Sequence, residues 1–219
     1  IATINQNTTY TAVFKKKETP PAPIANKINA TYWSLWGNNT SYDLSGGSYP
    51  SVEVDAPSID MSYNLIIASF IVTDHQGNYV LATSDPGAQT PQQPHYSDEQ
   101  IINMVNKVKA QKRKVIISLG GQYFHLQMKT EQDKINFVTQ VDKIIDKYGF
   151  DGIDLDLEGG ATSADTNLLA KGVREVVDHY RAKNPEFLLT MAPEWLYIAP
   201  ARYGCGQWGS GSYANSFYI

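Results

Sequence analysis

Three carboxylates alternate with branched apolar residues in one short stretch, and this pattern constrains the fold more than any other. Residues 151–160 read DGIDLDLEGG, so Asp154, Asp156 and Glu158 are separated by single leucines. Period 2 is typical of a strand, in which successive acids point to one face at steps of about 6.6 Å. Because the opposite face is as apolar as a core strand, we expect the acids to face an interior or a cleft where like charges crowd.

Strand-like and helix-like runs alternate along the chain, which predicts a parallel α/β layout. A capping box at Ser97–Gln100 and a cap at Thr130 mark the starts of two helices. The spacing favours a (β/α)8 TIM barrel, which takes about 250 residues when complete. We therefore expect residues 28–219 to be the N-terminal part of a barrel with its first five strands. The predicted strands are 28–36, 63–72, 114–121, 151–158 and 185–194, and the helices begin near 97, 131 and 164.

The start of the chain differs in composition from the rest. Residues 1–18 are rich in Thr, Tyr, Val and Phe, and they resemble the closing strand of an accessory β-sandwich domain. An isolated N-terminal extension is the alternative. Residues 19–27 hold three prolines within four positions, which is typical of a stiff linker. We place the domain boundary there.

Composition excludes several functions. The formal net charge is −4 with acids and bases interspersed, so we expect no nucleic-acid partner. No apolar run approaches the roughly 20 residues of a membrane span, so we expect no membrane partner. The one cysteine excludes an internal disulfide and a cysteine metal site.

Several predicted strand ends carry residues that suit catalysis or substrate binding. Reactive side chains of a parallel barrel lie at the carboxyl ends of its strands. The predicted ends are aromatic near Tyr32, Trp36 and Phe70, and read SLGG at 118–121 and MAPE at 191–194. Acids ringed by aromatic side chains predict a neutral polyhydroxy substrate with a leaving oxygen that accepts a proton.

Two motifs carry a family resemblance. DGIDLDLE (151–158) resembles the DxxDxDxE signature of family 18 glycoside hydrolases, the chitinases and their relatives, and ISLGG (117–121) resembles their SxGG motif. The resemblance implies a retaining mechanism in which the substrate's own acetamido oxygen attacks the anomeric carbon. It implies that Glu158 is the general acid and then the base, and that Asp156 holds the acetamido N–H. Asp154 would share a proton with Asp156.

The resemblance also implies a binding site and no cofactor. Tyr32, Phe70, Gly121, Met191 and Glu194 would line the sugar next to the cut, and Trp36 and Trp195 would stack on sugars. The tyrosine motif of the family's sixth strand and the tryptophan of its eighth do not occur before Ile219. We therefore expect the chain as given to lack part of its site and to be impaired in activity.

The expected function is hydrolysis of chitin or N-acetylglucosamine oligosaccharides by a secreted enzyme that is monomeric in its full-length form. Two alternatives stay open: an endo-β-N-acetylglucosaminidase acting on N-glycans, and a non-catalytic chitin-binding relative. A third interpretation treats residues 154–165 as a calcium loop. Leucines in the gaps and Asp165 at the last ligand position fit that loop poorly.

Overall fold

The computed structural model describes residues 27–37, 55–87, 92–122, 124–158 and 164–193. The predicted accessory strand at 1–18 lies outside these residues, as does the predicted linker except for its last residue, Lys27. None of the described helices is long and apolar enough to cross a lipid bilayer.

Parallel pairing dominates the sheet, as the alternation of strands and helices predicts. Five strands pair in parallel in the order β1-β2-β4-β5-β6, and β3 pairs antiparallel with β2. This is the layout of five successive strands of a (β/α)8 barrel. The strands are β1 (Ala30–Ser34), β2 (Leu65–Thr73), β3 (Tyr79–Leu81), β4 (Lys114–Gly120), β5 (Gly152–Asp156) and β6 (Leu188–Met191). The helices are α1 (Asp98–Ala110), α2 (Glu131–Tyr148) and α3 (Thr166–Arg181).

The helix starts follow the predicted caps. The Ser97 hydroxyl accepts a hydrogen bond from the Gln100 backbone N–H, and the Gln100 side chain accepts one from the Ser97 N–H, so the capping box is confirmed. Thr130 caps α2 in the same way, with Asp133 as its partner. α2 ends at Tyr148, and the next residue, Gly149, has a φ of +72°, the left-handed conformation that glycine adopts without strain.

Strand β3 was not predicted from the sequence. It returns along β2 after a tight turn in which one Asp74 oxygen accepts hydrogen bonds from the backbone N–H groups of Gln76 and Asn78, each 2.8 Å long. Tyr79 of β3 packs its ring edge-on against Phe137 of α2. The hairpin therefore extends β2 beyond the other parallel strands and rests on the helix layer.

The outer face of the sheet carries most of the core. Apolar side chains of β2, β4 and β5 pack there against the three helices, which present their own apolar stripes. Fully buried members of this cluster are Ile66, Ala68, Val115, Ile117, Leu119, Ile153, Ile101, Val105, Phe137, Val141 and Val176.

The inner face of the sheet is divided into two layers. Toward the amino ends of the strands, Leu65, Ile67, Ile116 and Leu188 form a small apolar cluster, which we call the lower layer. Two residues farther along, an in-register row of Ser69, Ser118, Asp154 and Thr190 crosses β2, β4, β5 and β6, and Tyr32 of β1 contacts Asp154. We call these five residues the upper layer.

Candidate active site

Asp154 lies at the centre of the upper layer and is 1% exposed. Three hydroxyl groups donate to its carboxylate. The Tyr32 and Ser118 hydroxyls reach Oδ2 at 2.9 and 2.7 Å, and the Thr190 hydroxyl reaches Oδ1 at 2.5 Å. The donors come from β1, β4 and β6, so the curvature of the sheet gathers them around one strand. A buried carboxylate needs such partners because an unpaired buried charge is costly.

Tyr32 is held in its protonated form. Partial burial raises the pKa of the Tyr32 phenol well above its usual range, and the negative charges of Asp154 and Asp156 raise it further. The phenol therefore remains an O–H donor to Asp154 throughout the pH range of ordinary enzymes. Asp154 faces this phenol, and Asp156, two residues along the same strand, lies on the same face, as the period-2 pattern predicts.

Asp156 ends β5, and the glycines of β4 allow the two strands to approach closely. A Cβ atom at Gly120 would lie 1.8 Å from the carbonyl oxygen of Asp156, so no other residue fits without a backbone shift. The Gly121 N–H donates to that same carbonyl at 2.8 Å. Gly120 and Gly121 have φ values of +136° and +81°, which favour glycine. The glycine pair thus fixes the backbone that carries the second acid.

Glu158 lies two residues beyond the end of β5 and lines a pocket of about 240 Å³. Trp36 and Phe70 form an aromatic wall of this pocket, with their rings stacked at a centroid distance of 5.8 Å. Phe70 lies at an irregularity in the β2–β4 pairing and follows a cis peptide bond after Ser69. The pocket therefore combines a carboxyl group with aromatic faces at the carboxyl end of the sheet.

Comparison with known proteins identifies the family. The model of the glycosyl hydrolases family 18 matches residues 29–204, which is most of the chain. The chain belongs to glycosyl hydrolase family 18.

Named relatives agree with this family. The chain is 31% identical to a chitinase of Enterococcus faecalis over 176 residues, which is 80% of this chain and 47% of the relative. It is 35% identical to exochitinase 1 of Streptomyces olivaceoviridis over 52% of this chain and 21% of the relative. A crystal structure of a GH18 chitinase from Chromobacterium violaceum matches 78% of this chain and 41% of its own, with 29% identity and a TM-score of 0.59. The chain spans less than half the length of these three proteins.

The structure brings part of the predicted family 18 site together. Asp154 and Tyr32 are in direct contact, and Gly121, Trp36, Phe70 and Glu158 line one pocket. A Cβ atom at Gly121 would lie 2.8 Å from the Phe70 ring, so the absence of a side chain at Gly121 makes room for that ring in the pocket. Glu194 and Trp195 lie outside the described residues.

Met191 lies apart from these residues. Its side chain is 47% exposed and belongs to the outer face of β6, because its neighbour Thr190 points inward to Asp154. It lines a groove beside α3 together with Leu155 and Leu157. The structure therefore does not place Met191 at the acid cluster of this family 18 domain.

Sequence reasoning did not assign a role to Ser118 or Thr190. Both are in register with Asp154, through the pairs Ser118↔Asp154 and Asp154↔Thr190. In the sequence each is a single hydroxyl residue within an apolar strand, in KVIISLGG and in FLLTM, and only the alignment between strands shows that both face Asp154. Trp33 of β1 is fully buried and packs against Tyr96, with a ring-centroid distance of 5.8 Å.

Asp151, the first acid of the signature, and Asp165, beyond its end, have local structural roles. Asp151 accepts a hydrogen bond from the Val115 backbone N–H at 3.0 Å and pairs with Lys109 at 2.9 Å, which anchors the start of β5. Asp165 caps α3 by accepting from the N–H groups of Asn167 and Leu168 at 2.9 and 3.0 Å. Within the described ranges, no group of three His, Cys, Asp or Glu side chains is arranged to hold a metal ion.

Proposed function

We propose that this chain carries the acid cluster of an enzyme that hydrolyses β-1,4-linked N-acetylglucosamine polymers. The observation that carries the proposal is the order of acids along one strand: Asp154 buried among hydroxyls, Asp156 at the strand end, and Glu158 in an aromatic pocket. Membership of family 18 and similarity to named chitinases support chitin as the substrate.

In the first step, Glu158 would protonate the glycosidic oxygen as its bond to the anomeric carbon breaks. The carbonyl oxygen of the substrate's own acetamido group would form a new bond to that carbon from the opposite face. The product would be a cyclic oxazolinium-like intermediate and a released sugar hydroxyl. Glu158 suits this role because it is the acid of the cluster that lines a pocket open to substrate.

In the second step, Glu158 would act as a base. It would take a proton from a water molecule that attacks the anomeric carbon, and the bond to the acetamido oxygen would break. Two displacements on opposite faces retain the configuration, without a protein nucleophile of the kind most retaining glycosidases use. The proton that Glu158 lost in the first step returns in the second, so the enzyme is regenerated.

Asp156 would hold the acetamido N–H and stabilise the positive charge that develops on the ring. Preorganised polar groups at a developing charge contribute strongly because they need no reorganisation during reaction. The glycine pair at 120–121 supports this role, because it fixes the backbone of Asp156 from the neighbouring strand.

The aromatic wall would contact the sugar next to the bond that is cut. Trp36 and Phe70 offer apolar ring faces, and sugar rings present matching C–H faces to such side chains. We expect the complete enzyme to be secreted, because its polymeric substrate does not enter cells. We also expect it to be monomeric.

A comparison of two substrates tests the proposal in the complete protein that carries this chain. Chitotetraose and a high-mannose glycopeptide are incubated with equal amounts of enzyme, and the products are separated by chromatography. We expect cleavage of chitotetraose alone. Cleavage of the glycopeptide alone would replace the proposal with an endo-β-N-acetylglucosaminidase, and binding without cleavage of either would indicate a sugar-binding relative.

A further inference from the structure

We propose that a cavity between the β2–β3 hairpin and the segment after β4 is a second sugar-binding site, which takes N-acetylglucosamine units beyond those held in the Glu158 pocket. One wall is the hairpin turn at 73–77 with β3, and the other carries His125 and Gln127. We call this cavity the hairpin pocket. The inference rests on the proposed function, because it concerns the same polymeric substrate, and it uses residues that none of the family motifs contains.

The hairpin pocket is large and adjoins the candidate active site. Its volume is about 810 Å³, compared with about 240 Å³ for the pocket that Glu158 lines. Ligand-binding clefts typically measure about 300–1,000 Å³, so the volume suits a short oligosaccharide. Val72 and Pro86 line both cavities, so the two are neighbours. A sugar chain that leaves the Glu158 pocket on this side therefore enters the hairpin pocket.

The walls of the hairpin pocket are fixed by hydrogen bonds that need no ligand. Besides the two backbone N–H groups of the turn, Asp74 accepts a hydrogen bond from the Asn78 side-chain amide at 3.0 Å. The Thr73 hydroxyl donates to the backbone carbonyl of His125 at 3.2 Å, which ties one wall to the other. The Gln140 side chain of α2 accepts from the first N–H of β3 at 2.7 Å. Because the cavity is preformed, binding there costs little ordering of the protein.

Three polar side chains of the hairpin pocket are available to a ligand. His75 lies on the turn, and His125 and Gln127 lie on the opposite wall. All three residues are exposed, and within the described part of the chain their side chains form no hydrogen bond or ion pair. A glutamine amide and a neutral imidazole each offer both a donor and an acceptor. They therefore match the hydroxyl and acetamido groups of N-acetylglucosamine.

The charges around the hairpin pocket favour a neutral ligand. Asp74 is the one carboxylate among the described lining residues, and the turn engages both of its oxygens. None of the described lining residues is a lysine or an arginine, so the lining offers no cation to a phosphate or sulfate group. Val80 and Leu81 add apolar surface, which suits the C–H faces of a sugar ring. This lining fits a neutral, polyhydroxylated chain that carries acetamido groups.

The test compares the binding of chitotriose and chitohexaose by isothermal titration calorimetry in the complete protein. All samples carry Glu158→Gln, so that neither sugar is cut. To this background we add His125→Ala with Gln127→Ala, or the control Gln132→Ala on the exposed side of α2. We expect the double substitution to weaken chitohexaose binding by about 10- to 100-fold, through the loss of two hydrogen bonds. The ratio of the chitotriose Kd to the chitohexaose Kd should fall about tenfold, and the control should keep the ratio of the background protein.

Two results would overturn the inference while leaving the proposed function in place. One is an unchanged Kd ratio in the double variant. The other is an equal loss of affinity for both sugars, which would indicate an indirect effect on the Glu158 pocket. If the double variant does not fold, His75→Ala on the exposed turn is measured in its place, with chitohexaose binding expected to weaken by about 2- to 10-fold and the same criterion for the ratio. A protein with intact Glu158 that does not cleave chitohexaose would instead contradict the proposed function itself.

Discussion

The two interior layers of the barrel sheet are built from the same strands and differ completely in chemistry. The lower layer consists of Leu65, Ile67, Ile116 and Leu188. The upper layer consists of hydroxyls around one buried carboxylate. The apolar lower layer and the acid cluster of the upper layer are thus separated by only two residues along a strand, about 7 Å.

The difference shows how a parallel barrel separates stability from function. Gly152 begins β5 at the level of the lower layer, and a Cβ atom there would lie 2.8 Å from side-chain atoms of both Ile116 and Leu188. The absence of a side chain lets those two residues meet across β5. Two positions later the same strand presents Asp154. The apolar lower layer excludes water from the side of Asp154 that faces the amino ends of the strands. We expect substitutions in the two layers to affect different measurements.

The largest expected effect belongs to Glu158, just beyond the upper layer. Glu158→Gln should lower kcat for chitotetraose by about 10³- to 10⁴-fold, because a general acid and base is removed. Sugar binding and the melting temperature should stay near wild type. The matched control is Glu186→Gln, since Glu186 is exposed and pairs with Lys114 on the surface. Full activity of Glu158→Gln would contradict the assignment of the acid.

Substitution of Asp156 should cause the second largest loss of activity. Asp156→Asn should cost roughly 3–4 kcal/mol of transition-state stabilisation, which corresponds to a loss of about 200- to 900-fold in kcat/KM. The control is Asp178→Asn on the exposed side of α3. A rate near that of the wild type would show that Asp156 does not stabilise the developing charge.

Substitutions in the lower layer should reduce stability and leave kcat nearly unchanged. Ile116→Ala should lower the free energy of unfolding by about 3 kcal/mol, because Ile116 is fully buried and its truncation leaves a cavity. Its kcat at 25 °C should stay within about twofold of wild type. Ile135→Ala on the half-exposed side of α2 provides the control, with a small change in stability. A large loss of kcat in correctly folded Ile116→Ala protein would remove the distinction between the layers.

The smallest effect concerns Tyr32, which is 41% exposed. Tyr32→Phe should cost about 1 kcal/mol of stability at pH 7, through the lost hydrogen bond to Asp154. Burial, together with the nearby acids, raises the pKa of Tyr32, so the folded protein binds this proton more tightly than the unfolded chain. That contribution is complete below the unfolded value, about pH 10, and is lost as pH rises toward the folded value. The stability difference between wild type and Tyr32→Phe should therefore shrink between pH 9 and pH 11 in chemical denaturation, and a constant difference would contradict this.

Much of the fold could be predicted from sequence, because its signals are local. The capping boxes at Ser97 and Thr130 need only four residues each, and the buried strands are continuous apolar runs. The period-2 spacing placed Asp154 and Asp156 on one interior face. The short strand β3 was missed because three residues carry too little pattern, although a turn around Gly77 precedes it.

The parts of the site that could not be predicted depend on contacts between strands. Thr190 and Ser118 reach Asp154 because of register, which only the paired sheet defines. Met191 was expected at the sugar because the family resemblance implies it, but parity along β6 places it on the outer face. A motif gives the order of residues, whereas the direction of each side chain depends on where the strand begins and ends.

The most direct test of the central claim is the configuration of the first product. The complete protein is mixed with chitotetraose, and the anomeric protons are followed by ¹H NMR before mutarotation, beside the Glu158→Gln variant. We predict that the β-anomer appears first with wild-type enzyme and that the variant forms no product on this timescale. Initial formation of the α-anomer, or equal turnover by the variant, would contradict a retaining mechanism driven by Glu158.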